Sequence, residues 1–132
     1  MRTMLKGKIH RATVTGADVN YEGSITLDPL LMDAADIIPW EQVHLLDVDN
    51  GIRLTTYAIQ GDRGSGQVVV NGAAARVVNN GDAVIILTYT DLPEDKARSH
   101  RPKVVYVDRG NRITHTAAAL AAAGNGRSSH AR

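Results

Sequence analysis

Two places in the chain join a glycine directly to a serine, Gly23-Ser24 and Gly64-Ser65. A serine hydroxyl so placed can attack the carbonyl before it and turn the amide into an ester. Glycine, lacking a Cβ, tolerates the strained backbone that the attack requires. Elimination across the ester leaves a dehydroalanine, and its hydrolysis leaves a ketone-capped chain end, a pyruvoyl group. Such a carbonyl forms an imine with an amine substrate, so the chain would carry its own electrophile. Gly-Ser is also a common turn dipeptide, and local composition does not choose between the two pairs.

Other chemistries find less support. The histidines, at 10, 44, 100, 115 and 130, form no His-x-x-x-His or comparable ligand pair with a carboxylate, so no metal site is expected. Gly61-Asp62-Arg63-Gly64-Ser65-Gly66 has the glycines of a phosphate-binding loop without its lysine and reads as a flexible turn. No Gly-x-Ser-x-Gly elbow is present. Zero Cys removes disulfide, iron–sulfur and thiolate chemistry. At 132 residues the chain is one domain with little room for a dinucleotide or pyridoxal-phosphate fold. A net charge of +1 and 4% aromatic residues argue against nucleic-acid binding. There is neither an apolar run of bilayer length nor a signal-peptide pattern, which makes a cytoplasmic location the expectation.

The elements that must position any site are short and mostly β. Leu5 to Thr15 alternates as a strand, with Lys6, Lys8 and His10 on one face and Leu5, Gly7, Ile9 and Arg11 on the other. A turn and a β-rich stretch follow, and Asp28 and Pro29 open a helix reaching about Ile37. Val43 to Asp49, the Asn50-Gly51 turn and Ile52 to Gln60 make a hairpin. On its second strand Arg53, Thr55, Tyr57 and Ile59 share one face, and Leu54, Thr56 and Ala58 the other. Val68 to Val70 is a short strand, Asn71 to Ala75 a turn or helical piece, and Ala83 to Tyr89 the most apolar strand. Asp91 to Pro102 reads as a loop with room for a helical turn, and Lys103 to Asp108 as a strand. Thr116 to Ala123 could be a short helix before a disordered tail. Many short strands punctuated by glycine predict a small β-barrel over residues 1–115, with 116–132 as an appendage.

The flanking residues separate the two Gly-Ser pairs. Leu5-Lys6-Gly7-Lys8-Ile9-His10-Arg11-Ala12-Thr13-Val14-Thr15, Ala17-Asp18 and Tyr21-Glu22-Gly23-Ser24 closely resemble the start of the pyruvoyl-dependent aspartate 1-decarboxylases. Asn50-Gly51-x-Arg53, Thr56-Tyr57-Ala58-Ile59, Arg63-Gly64-Ser65, Val70-Asn71-Gly72-Ala73-Ala74-Ala75 and Gly81-Asp82-x-Val84-Ile85-Ile86 follow in that family's order and spacing. The resemblance covers about residues 1 to 107 and implies a six-stranded double-psi β-barrel and a homotetramer with sites between subunits. The implied reaction converts L-aspartate to β-alanine and carbon dioxide for pantothenate synthesis, through a Schiff base on a pyruvoyl group, without metal or pyridoxal phosphate. It implies cleavage between Gly23 and Ser24 into a short and a longer chain. Ser24 and Tyr57 would be catalytic, with Tyr57 the proton donor, since a phenol is protonated at neutral pH. Gly23, Ser24, Thr56 and Asn71 would serve self-processing. Lys8, Arg53, Thr56, Gly72, Ala73 and Ala74 would bind substrate, the two cations answering aspartate's two carboxylates.

Simple alternation sends Thr56 to the face opposite Tyr57, so a bulge, a twist, or contact through backbone or across a subunit boundary is expected there. Leu46 stands where some relatives carry an aromatic, and the stretch after Val107 has no family motif. Some relatives need a separate maturation protein, and nothing in this sequence says whether this chain does. The rival expectation is a non-catalytic β-barrel binding module, for nucleic acid or a small ligand. The basic N-terminal run that would favour it is offset by Asp28, Asp33, Asp36, Glu41, Asp47 and Asp49.

Overall fold

Alternating apolar residues build most of the molecule. In the computed structural model, which describes residues 1–116, nine strands join one curled sheet. The strands are β1 (Arg2–Thr13), β2 (Gly16–Asp18), β3 (Ser24–Leu27), β4 (Gln42–Asp47), β5 (Arg53–Gln60), β6 (Val68–Asn71), β7 (Ala83–Leu92), β8 (Lys103–Val107) and β9 (Ile113–Thr116). Two short helices, α1 (Pro29–Ala35) and α2 (Glu94–Ser99), and a 3-10 turn over Gly72–Arg76 complete the described chain. The helix and tail expected after residue 116 lie outside the described residues. No helix among the described residues is long and apolar enough to cross a membrane.

The strand order is β2-β6-β3-β5-β4-β7-β1-β8-β9. Consecutive strands β1 and β2 thus hold the seventh and first places, yet only Val14 and Thr15 separate them in sequence. The sheet must curl until those places meet, and Thr15 N–H donating to Val68 C=O at 2.8 Å marks the junction. The architecture is mainly β and barrel-like, as expected, and its nine strands include short edge strands beyond the implied six. Three pairs, β2/β6, β3/β5 and β1/β8, are parallel. Ile9, Ile25, Leu27, Val43, Leu45, Val70 and Ile86 fill the interior at no more than 1% exposure, each contributing about 1.5–3 kcal/mol by burial.

Several boundaries move for local reasons. β1 shifts register between Ile9 and Ala12, where Arg11 sits at φ 60°. This bulge passes the core position to Ala12 and leaves Arg11 exposed, contrary to simple alternation. α1 stops at Ala35 rather than Ile37, because Asp36 turns left-handed at φ 60° and Ile37 N–H closes back on Met32 C=O. β7 extends to Leu92, and the following loop winds into the single helical piece α2. Gly7 is where α1 meets the sheet: a Cβ there would sit 2.1 Å from the Ala35 carbonyl oxygen.

Candidate active site

The first residue of β3 is Ser24, paired across the antiparallel β3/β6 ladder with Asn71. Ile25 points into the core, so Ser24 and Thr26 face the other way, on the side of β6 that carries the Asn71 amide. Asn71 Nδ2 donates to Ser24 Oγ at 3.0 Å and to Thr26 Oγ1 at 3.0 Å. Ser24 is only 2% exposed, and its own hydroxyl finds no closer acceptor than the Glu22 carbonyl at 3.5 Å. The oxygen is therefore held by a donor while its proton is weakly committed, an arrangement suited to a nucleophile. Gly23, one residue earlier, is exposed.

The close approach here belongs to a different glycine than expected. A Cβ on Gly23 would meet nothing within 4 Å, and its φ lies outside the left-handed region. Gly72 instead sits at φ +72°, and a Cβ there would lie 2.7 Å from Gly23 Cα and 2.9 Å from Gly23 N. Backbone packs on backbone, with Gly72 forming the wall behind Gly23-Ser24 and Ala73 and Ala74 continuing it in the 3-10 turn.

The second Gly-Ser pair is built for another task. Ser65 is exposed and spends its hydroxyl on its own turn, donating to the Asp62 carbonyl and accepting from Gln67 N–H at 3.2 Å. Nor is the loop a flexible turn. Gly64 and Gly66 N–H groups donate to the two oxygens of Asp28 at 2.9 and 2.8 Å, and the same carboxylate caps α1 through Leu30 N–H at 2.9 Å. Burial would raise the Asp28 carboxyl, but these three donors and the nearby Arg63 outweigh it and hold the group below its ordinary value.

On β5, Tyr57 occupies the outer face, half-buried, with its ring stacked on Trp40 at 5.8 Å between centroids. Trp40 belongs to no motif, and its place beside Tyr57 is fixed by its backbone N–H donating to the Ala58 carbonyl at 2.8 Å. Arg53 shares Tyr57's face, but four residues of strand at about 3.3 Å each set their Cα atoms about 13 Å apart. The guanidinium is therefore not beside the phenol by strand geometry alone. Thr56 pairs with the buried Val43, and the β4/β5 ladder runs without a register shift from Gln42↔Tyr57 to Leu46↔Arg53. No bulge turns Thr56 back, and its side chain takes the inner face. The parallel β3/β5 ladder begins at Ile25↔Ala58, so β5 lies directly beside the strand that Ser24 opens.

Lys8 lies on β1, across from Leu87 and Val104. Lys6 pairs with Glu41 at 2.7 Å, whereas Lys8 and Arg53 have no ion-pair partner among the described residues. β1 is no ladder neighbour of β3: in the strand order β5, β4 and β7 lie between them, and where the sheet curls round, β6 does. One chain thus gathers Ser24, Asn71, Gly72 and Gly23, sets Thr56 and Tyr57 on the neighbouring strand β5, and carries Lys8 on β1, which does not pair with β3.

The family model for aspartate decarboxylase matches residues 1–114. That span runs through every strand carrying these groups and through nearly all of the described residues. The chain therefore belongs to the aspartate decarboxylase family, whose activity is that of a carboxy-lyase.

Proposed function

We propose that this decarboxylase makes its own reactive carbonyl from Ser24 and uses it to convert L-aspartate to β-alanine and carbon dioxide, feeding pantothenate synthesis. The observation that carries this reading is the buried Ser24 hydroxyl, directly after exposed Gly23 and held by the Asn71 amide at 3.0 Å. In maturation Oγ adds to the Gly23 carbonyl carbon, and the Ser24 nitrogen leaves with a proton, so an ester replaces the amide. Loss of the Ser24 Cα proton then expels the Gly23 carboxylate and leaves a dehydroalanine. Water displaces its nitrogen as ammonia and leaves the ketone. Asn71 keeps Oγ on the carbonyl side, and the side-chain-free wall at Gly72 leaves space for the new chain end.

The pyruvoyl ketone, once present, supplies a sink for the electron pair that departing carbon dioxide leaves behind. Tyr57, braced by Trp40, donates a proton to the former α-carbon. Arg53 and Lys8 bind the two carboxylates of aspartate, with the tighter anchor on the carboxylate that stays, because pairing the departing one would stabilise the ground state. The backbone of Gly72, Ala73 and Ala74 approaches the ligand where no side chain intervenes. Lys8 sits on a strand that does not pair with β3, and the reading takes Lys8 from a neighbouring chain of a homotetramer with sites between subunits.

Intact-mass spectrometry tests it. Two chains are expected, Met1 to Gly23 and a Ser24-to-Arg132 piece lighter by ammonia and reactive with a hydrazine. A single chain persisting through prolonged warm incubation would refute autonomous processing, and cleavage at Gly64-Ser65 would show that the other pair is used.

A further inference from the structure

Where β4 ends and β7 begins, three carboxylates converge. Asp47 closes β4, Asp49 lies in the β4–β5 turn, and Asp82 precedes β7. Each gives one oxygen to a backbone N–H: Asp47 Oδ1 accepts from Asp49 at 2.9 Å, Asp49 Oδ2 from Ala83 at 2.9 Å, and Asp82 Oδ2 from Asn79 at 2.9 Å. One oxygen from each lies within 4.8 Å of the others. Asp47 is 2% exposed, and its Oδ2 is buried with no hydrogen-bond partner. No Lys or Arg among the described residues pairs with any of the three.

An unpartnered buried carboxylate oxygen facing two further carboxylates is costly unless a positive charge arrives. We infer that Asp47, Asp49 and Asp82 form a binding site for one oxygen-preferring divalent cation of the calcium, magnesium and manganese class. The spacing suits it, since oxygens on opposite sides of a calcium ion at about 2.3–2.6 Å are about 4.6–5.2 Å apart. All-carboxylate ligands select hard cations over zinc or copper. Asp49 is exposed and lines a surface pocket of about 940 Å³ together with Asp108, Arg11 and Arg109, so solvent reaches the cluster from the Asp49 side. Bound there, the ion ties the β4–β5 turn to the start of β7. Val14, which exchanges hydrogen bonds with Asp82 and Gly81, joins the end of β1 to the same point.

The test uses the full-length protein, stripped with a chelator and then titrated with calcium, magnesium or manganese chloride at pH 7.5. Calorimetry should give one ion per chain, with saturation raising Tm by roughly 5 °C. Asp47→Asn and Asp49→Asn should each weaken binding at least tenfold. Asp49→Asn keeps the acceptor for Ala83 and is exposed, so it remains informative if Asp47→Asn fails to fold. No heat and no Tm change with any of the three ions, or an undiminished response in Asp49→Asn, overturns the inference.

Discussion

Gly72→Ala should stop self-processing without unfolding the protein, and its size follows from one contact. The new Cβ would stand 2.7 Å from Gly23 Cα, against roughly 3.4 Å for ordinary contact, so one backbone must yield by about 0.7 Å or more. Both partners are backbone, and no flexible side chain can absorb the shift. Holding alanine at φ +72° adds about 1 kcal/mol, and with the crowding a total of about 2–4 kcal/mol is expected. The segment that moves most easily is the exposed one, Tyr21 to Gly23, which carries the carbonyl that Ser24 must reach. A displacement near 1 Å costs on the order of 100-fold in a reaction governed by positioning. A time course of intact mass on freshly purified protein, beside thermal denaturation, reads both effects. Gly23→Ala is the control: its Cβ meets open space, so stability should change by no more than about 0.5 kcal/mol. Parent-rate cleavage by Gly72→Ala, or an equal stability loss from Gly23→Ala, would refute the reasoning.

Arg53→Ala should cleave normally yet lose aspartate turnover mainly through KM, because Arg53 is exposed and makes no ion pair among the described residues; an unprocessed variant would contradict that separation. Chains bearing Lys8→Ala and chains bearing Ser24→Ala, each inactive alone, should regain activity when unfolded and refolded together, up to about a quarter of sites by random assembly. No recovery would place both groups in one chain. Asp28→Asn should cost about 2–3 kcal/mol at pH 7, since the amide NH₂ replaces an acceptor and leaves Gly66 N–H unmet. The folded carboxyl lies below its unfolded value of 3.8, so the stabilisation is fully present above about pH 4 and disappears as pH falls through the folded value. Denaturant titrations of parent and variant should therefore converge as pH falls further below 3.8, and a constant gap would count against the charge.

The hairpin from Gln42 to Gln60 was legible because Asn50-Gly51 and strict alternation agree. The α1 start was legible because Asp28-Pro29 states its own cap. The bulge at Arg11 was not, since it answers to the β7 and β8 partners of β1, which are remote in sequence. Thr56 shows both sides: alternation places its side chain on the inner face, while the parallel pairing that sets its strand beside β3 is one no local pattern announces. Trp40 and the Asp47, Asp49 and Asp82 cluster were missed because their neighbours come from other elements.

By itself the sequence determined which groups are available: a Gly-Ser bond, a phenol, two cations, an amide and no thiol. Motif order was enough to reach the family. Tertiary structure decided which of the two serines is buried beside a donor and which glycine must remain glycine. It also decided that Lys8 and Ser24 of one chain lie on strands that do not pair. Residue types and local periodicity are properties of the chain taken in order, whereas distances and burial arise only when strands distant in sequence become neighbours in the curled sheet.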